Sequence, residues 1–507
     1  MSTTTDQATT RGGLHEAGYV VRSVKDELRR NLIRKLRNNE SLFPGIIGFE
    51  ETVVPQIVNA ILARHDLLLL GLRGQAKTRL ARLLPNFLDE WMPIIDGSEI
   101  NDDPMAPISR RGVEMVRDMG DDTPIAWVHR SERYVEKLAT PDVTIADLIG
   151  DIDPIKAASQ RLTYAHEGAI HFGLLPRTNR GIFVINELPD LQPRIQVGLF
   201  NIMEEKDIQI RGFNVRIPLD LAIVFTANPE DYTNRGSIIT PLKDRIDSQI
   251  LTHYPRSIDE GMAITRQEAW RIREPDGTMV MPRLIEEIVE MVAIQARASE
   301  FVDQGSGVSA RMTIATMEAV ISNAERRAIA CGEDVVAPRI IDLLQALPGI
   351  TGKVELVFEG EQEGPAKVAR LLIGKGVREI FARYFPNPLE RPRRGNGDAA
   401  KGASDPYAPI LSYFSAGNTV DVTDMMEFKE FFAALAGVPG LHDLAVRTMR
   451  VDPKKQYEVA VAMELLLDGL HQHSKVARDE YSGALSYSDM VGSIFTGRHG
   501  GTDEEWS

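Results

Sequence analysis

Short apolar runs and stretches of helical periodicity alternate along the first half of the chain. Three apolar runs stand at residues 67–70, 181–185 and 221–225, and small or polar residues follow each of them. Continuous apolar runs of this length are typical of strands buried on both faces, as in a parallel sheet covered by helices. The spacing of Ile195 and Leu199 indicates that a helix follows the second run. The pattern therefore predicts an α/β fold built on a parallel sheet.

The second half of the chain is mainly helical. Helical periodicity extends from about residue 255 to residue 385, and a stretch rich in proline, glycine and charge follows it. Beyond that stretch, one face of a further predicted helix carries Val459, Met463, Leu466, Leu467 and Leu470. The predicted organisation is an N-terminal tail and helix at 1–40, an α/β domain at 41–254, a helical domain at 255–385, a linker at 386–408 and a C-terminal helical domain at 409–507.

Composition narrows the class of protein. The chain has 507 residues, of which 43% are hydrophobic and 26% charged, so several globular domains are expected. No apolar stretch reaches the length of a membrane-spanning helix, the N-terminus lacks the apolar core of a signal peptide, and the single cysteine, Cys331, cannot form an internal disulfide. We therefore expect a cytoplasmic protein. The net charge of −15, from 58 basic and 73 acidic residues, argues against a nucleic-acid partner.

The most informative motif follows the first apolar run, where Gly71-Leu72-Arg73-Gly74-Gln75-Ala76-Lys77-Thr78 leads into a predicted helix. Glycines let the backbone curl so that its N–H groups converge on phosphate oxygens. Lys77 is expected to contact the β- and γ-phosphates of ATP, and Thr78 to ligate Mg²⁺. The residue before the lysine is Ala76, where the common pattern has glycine, and a glycine-rich turn before a helix also occurs as plain packing. The residues expected to hold the nucleotide are Gly71, Gly74, Gln75, Ala76, Lys77 and Thr78.

Polar residues also end the other two predicted strands. In nucleoside triphosphate hydrolases an acid after the second strand holds Mg²⁺ through water, and a glutamate beside it polarises the attacking water. Here Asn186 takes the first position and Glu187 the second, so an uncharged amide oxygen replaces the acid and slower hydrolysis is expected. Asn228 follows the third strand and is expected to position the attacking water. Taken alone, an Asn-Glu pair at a strand end is usually an exposed surface feature.

A further arginine lies beyond a predicted hairpin at residues 208–217. Arg245, next to Asp244, is expected at the far edge of the subunit, from which it can reach a neighbour's γ-phosphate. An isolated Asp-Arg pair is more often a surface ion pair.

In this order, the residues resemble AAA+ ATPases, and within them the clade of magnesium chelatase subunit I and the MoxR-type ATPases. The resemblance covers roughly residues 43–320, and alanine before the loop lysine is typical of that clade. Segment 147–153 looks like the helix-2 insertion, and the hairpin at 208–217 corresponds to the pre-sensor-1 hairpin. By this resemblance the functional residues are Ile46 and Ile47 at the adenine, Asn186 and Glu187 in the Walker B motif, Asn228 as sensor 1, Arg245 as the arginine finger and Arg311 as sensor 2.

The resemblance implies an AAA+ P-loop core with a helical lid at 255–385, to which the C-terminal domain is an addition. It also implies an ATP- and Mg²⁺-dependent remodelling ATPase that works as a ring, commonly a hexamer, with a von Willebrand factor A domain protein as partner. One alternative is the motor subunit of a true magnesium chelatase, and another is a nucleotide-gated scaffold with weak hydrolysis because of Asn186. A transcriptional activator of the same fold would need a Gly-Ala-Phe-Thr-Gly-Ala loop, which the sequence lacks.

Overall fold

A computed structural model describes residues 8–159, 167–205, 207–209, 216–229, 237–273, 278–390, 405–481 and 483–490. The chain divides into two compact units, Met1–Tyr254 and Pro255–Ser507. Among the residues described, no helix combines the length and the apolar character that a membrane span needs.

The first unit is built on a five-stranded sheet in which all neighbouring strands are parallel. Its strands in chain order are β1 (Leu67–Leu70), β2 (Tyr134–Leu138), β3 (Gly181–Asn186), β4 (Leu221–Ala227) and β5 (Ser248–Leu251). In space the order is β5-β1-β4-β3-β2, with β5 and β2 at the edges. The α/β prediction is confirmed, and the three predicted apolar runs are the three central strands.

Alternate residues of the central strands face two separate hydrophobic cores. Leu68 and Leu70 join one core together with residues of helix Pro193–Glu205, which is the helix predicted after the second run. Leu67 and Leu69 join the other core, which helices Val24–Arg37 and Val53–Ala63 share. Because both faces are covered, these strands read in sequence as unbroken apolar runs.

The remaining elements of the first unit surround this sheet. Its other helices are Arg11–Glu16, Lys77–Leu83, Arg110–Met119, Ile145–Leu148, Pro154–Ser159, Leu174–Arg177 and Thr240–Arg245. Antiparallel two-stranded pairs are formed by Trp91–Ile95 with Ile125–His129, Gly150–Ile152 with Ile170–Phe172, and Asp207–Gln209 with Arg216–Pro218. The last pair contains strands of the predicted hairpin, and residues 210–215, where its turn was predicted, lie outside the described residues.

The second unit is mostly helical. Its helices are Ile258–Glu268, Arg283–Arg297, Ala310–Cys331, Leu347–Thr351, Phe358–Glu363, Pro365–Tyr384, Ala408–Ser415, Phe428–Ala436, Leu441–Met449 and Gln456–Gln472. A small parallel pair joins Thr278–Met279 to Val335–Val336. The C-terminal segment, which was predicted to be helical, also contains an antiparallel sheet of Val420–Thr423, Ala484–Ser488 and Ala477–Tyr481.

One hydrophobic core includes residues from both segments for which the sequence predicts separate helical domains. Phe381, before the predicted linker, belongs to the same cluster as Tyr407 and Leu466, after it. Residues 391–404 of that linker lie outside the described part. Helix Gln456–Gln472 is buried at every position from Val459 to Leu470, because helices and the small sheet surround it. The two segments therefore share a single core.

Buried polar and ionisable side chains also lie within the second unit. Arg327 Nη1 lies 2.6 Å from Asp342 Oδ1, and Arg327 also donates to the backbone oxygen of Asp424 at 3.0 Å. Glu464 is fully buried and accepts backbone N–H bonds from Ile340 at 2.7 Å and Ile341 at 2.8 Å. Burial, together with the nearby Asp468 carboxylate, outweighs these donors and raises the pKa of Glu464 to about 8.

A pH dependence of stability follows from Glu464. Its pKa in the unfolded chain is about 4, so between about pH 5 and pH 8 the folded protein holds a proton that the unfolded chain releases. Stability from this group is present below that window and is lost as the pH rises towards 8, by about 1 kcal/mol per pH unit. We expect urea unfolding at several pH values to show this loss in the natural chain and not in Glu464→Gln.

The exposed Glu430 offers a matched control, because Glu430→Gln removes an acid without removing a buried proton-binding group. That variant is expected to keep the natural pH dependence. Equal slopes for Glu464→Gln and the natural chain would contradict the assignment.

Candidate nucleotide-binding site

The glycine-rich segment after β1 forms a tight loop that ends where helix Lys77–Leu83 begins. Gly74 has φ 73°, and Ala76 has φ 54°, a left-handed conformation that residues with a Cβ seldom adopt. Backbone strain of this kind persists where the surrounding structure imposes it, often at a ligand site. Residues 74–76 therefore have the curled backbone that aims successive N–H groups at an anion.

Lys77 lies under this loop and is only 9% exposed. Its ammonium donates to the backbone oxygens of Gly71 and, at 3.0 Å, Leu72, and to Asn228 Oδ1 at 2.8 Å. These contacts hold a positive charge on the inside of the loop, where phosphate oxygens would need it.

Asn228 connects this lysine to the predicted catalytic glutamate. Its amide Nδ2 donates to Glu187 Oε2 at 3.1 Å, so Lys77, Asn228 and Glu187 form a continuous hydrogen-bonded series. Glu187 itself has φ 60° at the end of β3. The structure thus brings together three residues that the sequence predicted for one site, from the segments that follow three different strands.

Thr226 was not singled out from the sequence, yet it links the two residues at the end of β3. Its hydroxyl accepts from the Glu187 backbone N–H at 3.1 Å and donates to Asn186 Oδ1 at 3.2 Å. Thr226 is 2% exposed, inside an otherwise apolar strand. A polar residue in a buried strand was the available signal.

The predicted adenine contacts lie in a turn between Gly45 and Gly48, both with positive φ. Ile46 is buried in the core that also includes β1 residues, and Ala76 packs against that core. Ile47 is half-buried. Thr78, the second residue of the loop helix, is also half-buried.

Of the three residues after β5, two hydrogen-bond the phosphate loop and one contacts the segment next to the predicted adenine turn, and none of them was singled out from the sequence. Thr252 donates from its hydroxyl to Gln75 Oε1 at 2.8 Å, and Tyr254 donates to the backbone oxygen of Arg73 at 3.1 Å. The ring Nε2 of His253 and the Thr52 hydroxyl lie 2.8 Å apart. No local sequence pattern indicates these contacts.

Arg245 ends helix Thr240–Arg245. It lies near the end of the sheet at which β1 and β5 begin, whereas the loop lies at the end at which they stop. Ser248, three residues on, pairs with Leu67 at the start of β1, whereas the loop follows the end of β1. The Arg245 guanidinium donates a hydrogen bond to Glu204, and this bond raises the pKa of Arg245. The same guanidinium pairs with Asp244 at 2.5 Å. Arg311 belongs to the second unit, where it is exposed in the first turn of helix Ala310–Cys331.

The loop residues fit a phosphate group with Mg²⁺. The curled backbone and the Lys77 ammonium suit phosphate oxygens, while Thr78 and Asn186 offer oxygen atoms of the kind that Mg²⁺ prefers. In the described part of the chain, no group of three or more His, Cys, Asp or Glu residues could hold a metal ion. A magnesium ion here would therefore depend on phosphate oxygens and water for most of its ligands.

Comparison with known proteins gives structural likenesses alone, since no family model and no curated protein matches the chain. The chain is similar to one in a cryo-EM-based complex of subunits BchI and BchD of magnesium chelatase, at TM-score 0.33 and 18% identity, covering 63% of this chain and 98% of that one. A putative ATPase from Cytophaga hutchinsonii is similar at TM-score 0.29 and 16% identity, with 69% and 96% covered. NtrX from Brucella abortus, in complex with ADP, is similar at TM-score 0.32 and 14% identity, with 72% and 65% covered.

Proposed function

We propose that this chain is an AAA+ ATPase of the magnesium chelatase subunit I and MoxR type, which binds ATP with Mg²⁺ at the loop after β1 and hydrolyses it. The observation that carries the proposal is the hydrogen-bonded series of Lys77, Asn228 and Glu187. It joins a phosphate-binding cation to a general base through an amide that can contact both water and phosphate.

The roles of the residues follow from their chemistry. Lys77 would neutralise the β- and γ-phosphates, and Thr78 would hold Mg²⁺, which supplies further positive charge to the phosphates when bound. Glu187 would accept a proton from the attacking water at its carboxylate oxygen, while Asn228 orients that water. Asn186 would accept a hydrogen bond from a metal-bound water without adding negative charge.

We further propose that the chain acts in a ring, most simply a hexamer. This is supported by the position of Arg245 at the sheet edge away from its own loop, from which it can serve a neighbouring subunit. Remodelling of a client protein, with a von Willebrand factor A domain partner, is placed ahead of a chelatase motor because the C-terminal segment at 409–507 extends beyond the minimal family fold. A nucleotide-gated scaffold is the second candidate, because Asn186 weakens the metal site.

Replacing Lys77 with alanine tests the site itself. The change removes the charged donor that meets the phosphates, so ATP affinity should fall by about 10- to 100-fold. Isothermal titration with Mg-ATP measures it. Arg82→Ala, on the same helix but in an exposed ion pair with Glu136, is the control and should bind ATP normally. Unchanged affinity in Lys77→Ala would refute the assignment.

Restoring an acid at position 186 tests the scaffold alternative. Asn186→Asp adds a negative charge to the metal shell, so ATPase turnover should rise by about tenfold at limiting Mg²⁺. Asn39→Asp, which adds the same charge on an exposed turn, should leave turnover unchanged. If the natural chain has no ATPase activity that Glu187→Gln can abolish, the scaffold is the correct reading.

A mixing experiment tests action between subunits. Arg245→Ala and Glu187→Gln should each be inactive alone, yet an equal mixture should regain activity, since about one interface in four then joins an intact Glu187 site to an intact Arg245. In the control, Arg245→Ala is mixed with the double variant Arg245→Ala/Glu187→Gln, which supplies no arginine. Full activity of Arg245→Ala as a monomer would exclude the mechanism.

A further inference from the structure

Residues 252–254, here called the junction segment, lie between the end of β5 and the start of the second unit at Pro255. The segment begins level with the phosphate loop, because Leu251 pairs with Leu70 and the Thr252 backbone N–H donates to the Leu70 oxygen at 2.8 Å. Sheet pairing therefore holds the start of the segment beside the loop.

The side chains of the junction segment contact the phosphate loop or the residues just after the predicted adenine turn. Two of them contact the loop directly, through the bonds from Thr252 to Gln75 and from Tyr254 to Arg73. His253 contacts Thr52 and lies edge-on to Phe49, with ring centroids 5.0 Å apart, next to the turn that carries the predicted adenine contacts. Because three consecutive side chains make these contacts, the junction segment has a structural role at the site.

The Thr252–Gln75 bond is closely packed against the loop. Thr252 is 8% exposed and Gln75 is 6% exposed, so this is a buried pair of polar groups. A Cβ on Gly71 would lie 1.9 Å from Thr252 Oγ1 and 2.2 Å from Gln75 Oε1. Glycine is therefore favoured at position 71 because the hydrogen-bonded pair occupies the space that a Cβ would need. This reason is separate from any role of the glycine in curling the backbone.

We propose that the junction segment positions the phosphate loop for ATP, and that the Thr252 hydroxyl, acting through Gln75, is the group on which this depends. Thr252 is a positioning residue, since it contacts the loop side chain and not the reacting atoms. The inference rests on the proposed ATP site. It adds a residue that the loop motif does not contain and that lies 177 positions from Gln75 in the sequence.

Matched substitutions at Thr252 separate the hydroxyl from the volume of the side chain. Thr252→Val keeps the shape and removes the donor, which leaves the buried Gln75 oxygen without this partner. We expect Mg-ATP affinity to weaken by about 5- to 10-fold and KM to rise by the same factor, with a smaller fall in kcat. Thr252→Ser keeps the hydroxyl and should stay within about twofold of the natural chain.

A double-mutant cycle assigns the effect to the pair. Gln75→Met removes the acceptor with little change in volume, and the double variant Thr252→Val/Gln75→Met should be no weaker than the worse single variant. The proposal would be overturned if the losses of ATP affinity in the two single variants multiplied in the double variant. It would also be overturned if Thr252→Val and Thr252→Ser lost ATP affinity equally. A fall in the melting temperature without a change in ATP affinity, which marks a purely structural contact, would overturn it as well.

Lys77→Ala, titrated in parallel, separates failure of this inference from failure of the proposed function. If Lys77→Ala loses ATP while Thr252→Val binds it normally, the positioning role is wrong and the ATP site stands. If Lys77→Ala binds ATP normally, both are wrong.

Discussion

The register between β1, β4 and β3 is the constraint on which the candidate site depends. Their pairing brings the ends of the three strands to one edge of the sheet. All their residues except Asn186 are buried, and a slip by one residue would turn every apolar side chain towards the opposite core. Apolar packing on both faces therefore determines where Lys77, Asn228 and Glu187 meet, although none of the three belongs to a core.

The central strands and the loop could be predicted because their signals are local. An unbroken apolar run indicates a doubly covered strand, and glycine spacing before Lys-Thr indicates a phosphate loop. The edge strands β2 and β5 were missed because polar residues such as Glu136 and Gln249 interrupt their apolar pattern. Thr252 could not be found in this way. Its partner Gln75 is remote in sequence, and a threonine is common in loops of every kind.

The second unit shows that composition alone does not reveal which segments pack together. A proline- and glycine-rich stretch indicates a connection, but it does not show whether the segments it joins pack together. Within helix Gln456–Gln472, Glu464 and Asp468 look like polar positions on an amphipathic helix. The structure instead buries both, with backbone N–H groups on Glu464 and the Arg478 guanidinium 2.7 Å from Asp468. Buried acids with such partners mark the inside of a core, and sequence periodicity does not reveal the partners.

Strand β5 connects the candidate site, through the junction segment, to Arg245. Arg245 precedes this strand and the junction segment follows it, so the residues between them are 246 and 247 and the four residues of the strand, which is roughly 13 Å long. Its partner β1 carries the loop itself. If Arg245 serves a neighbouring subunit as proposed, each chain then has its own phosphate loop and its contribution to the next site at opposite ends of the same paired strands. The register of β5 on β1 therefore fixes two positions at once, that of Thr252 beside the loop and that of Ser248, three residues after Arg245, at the other end of β1.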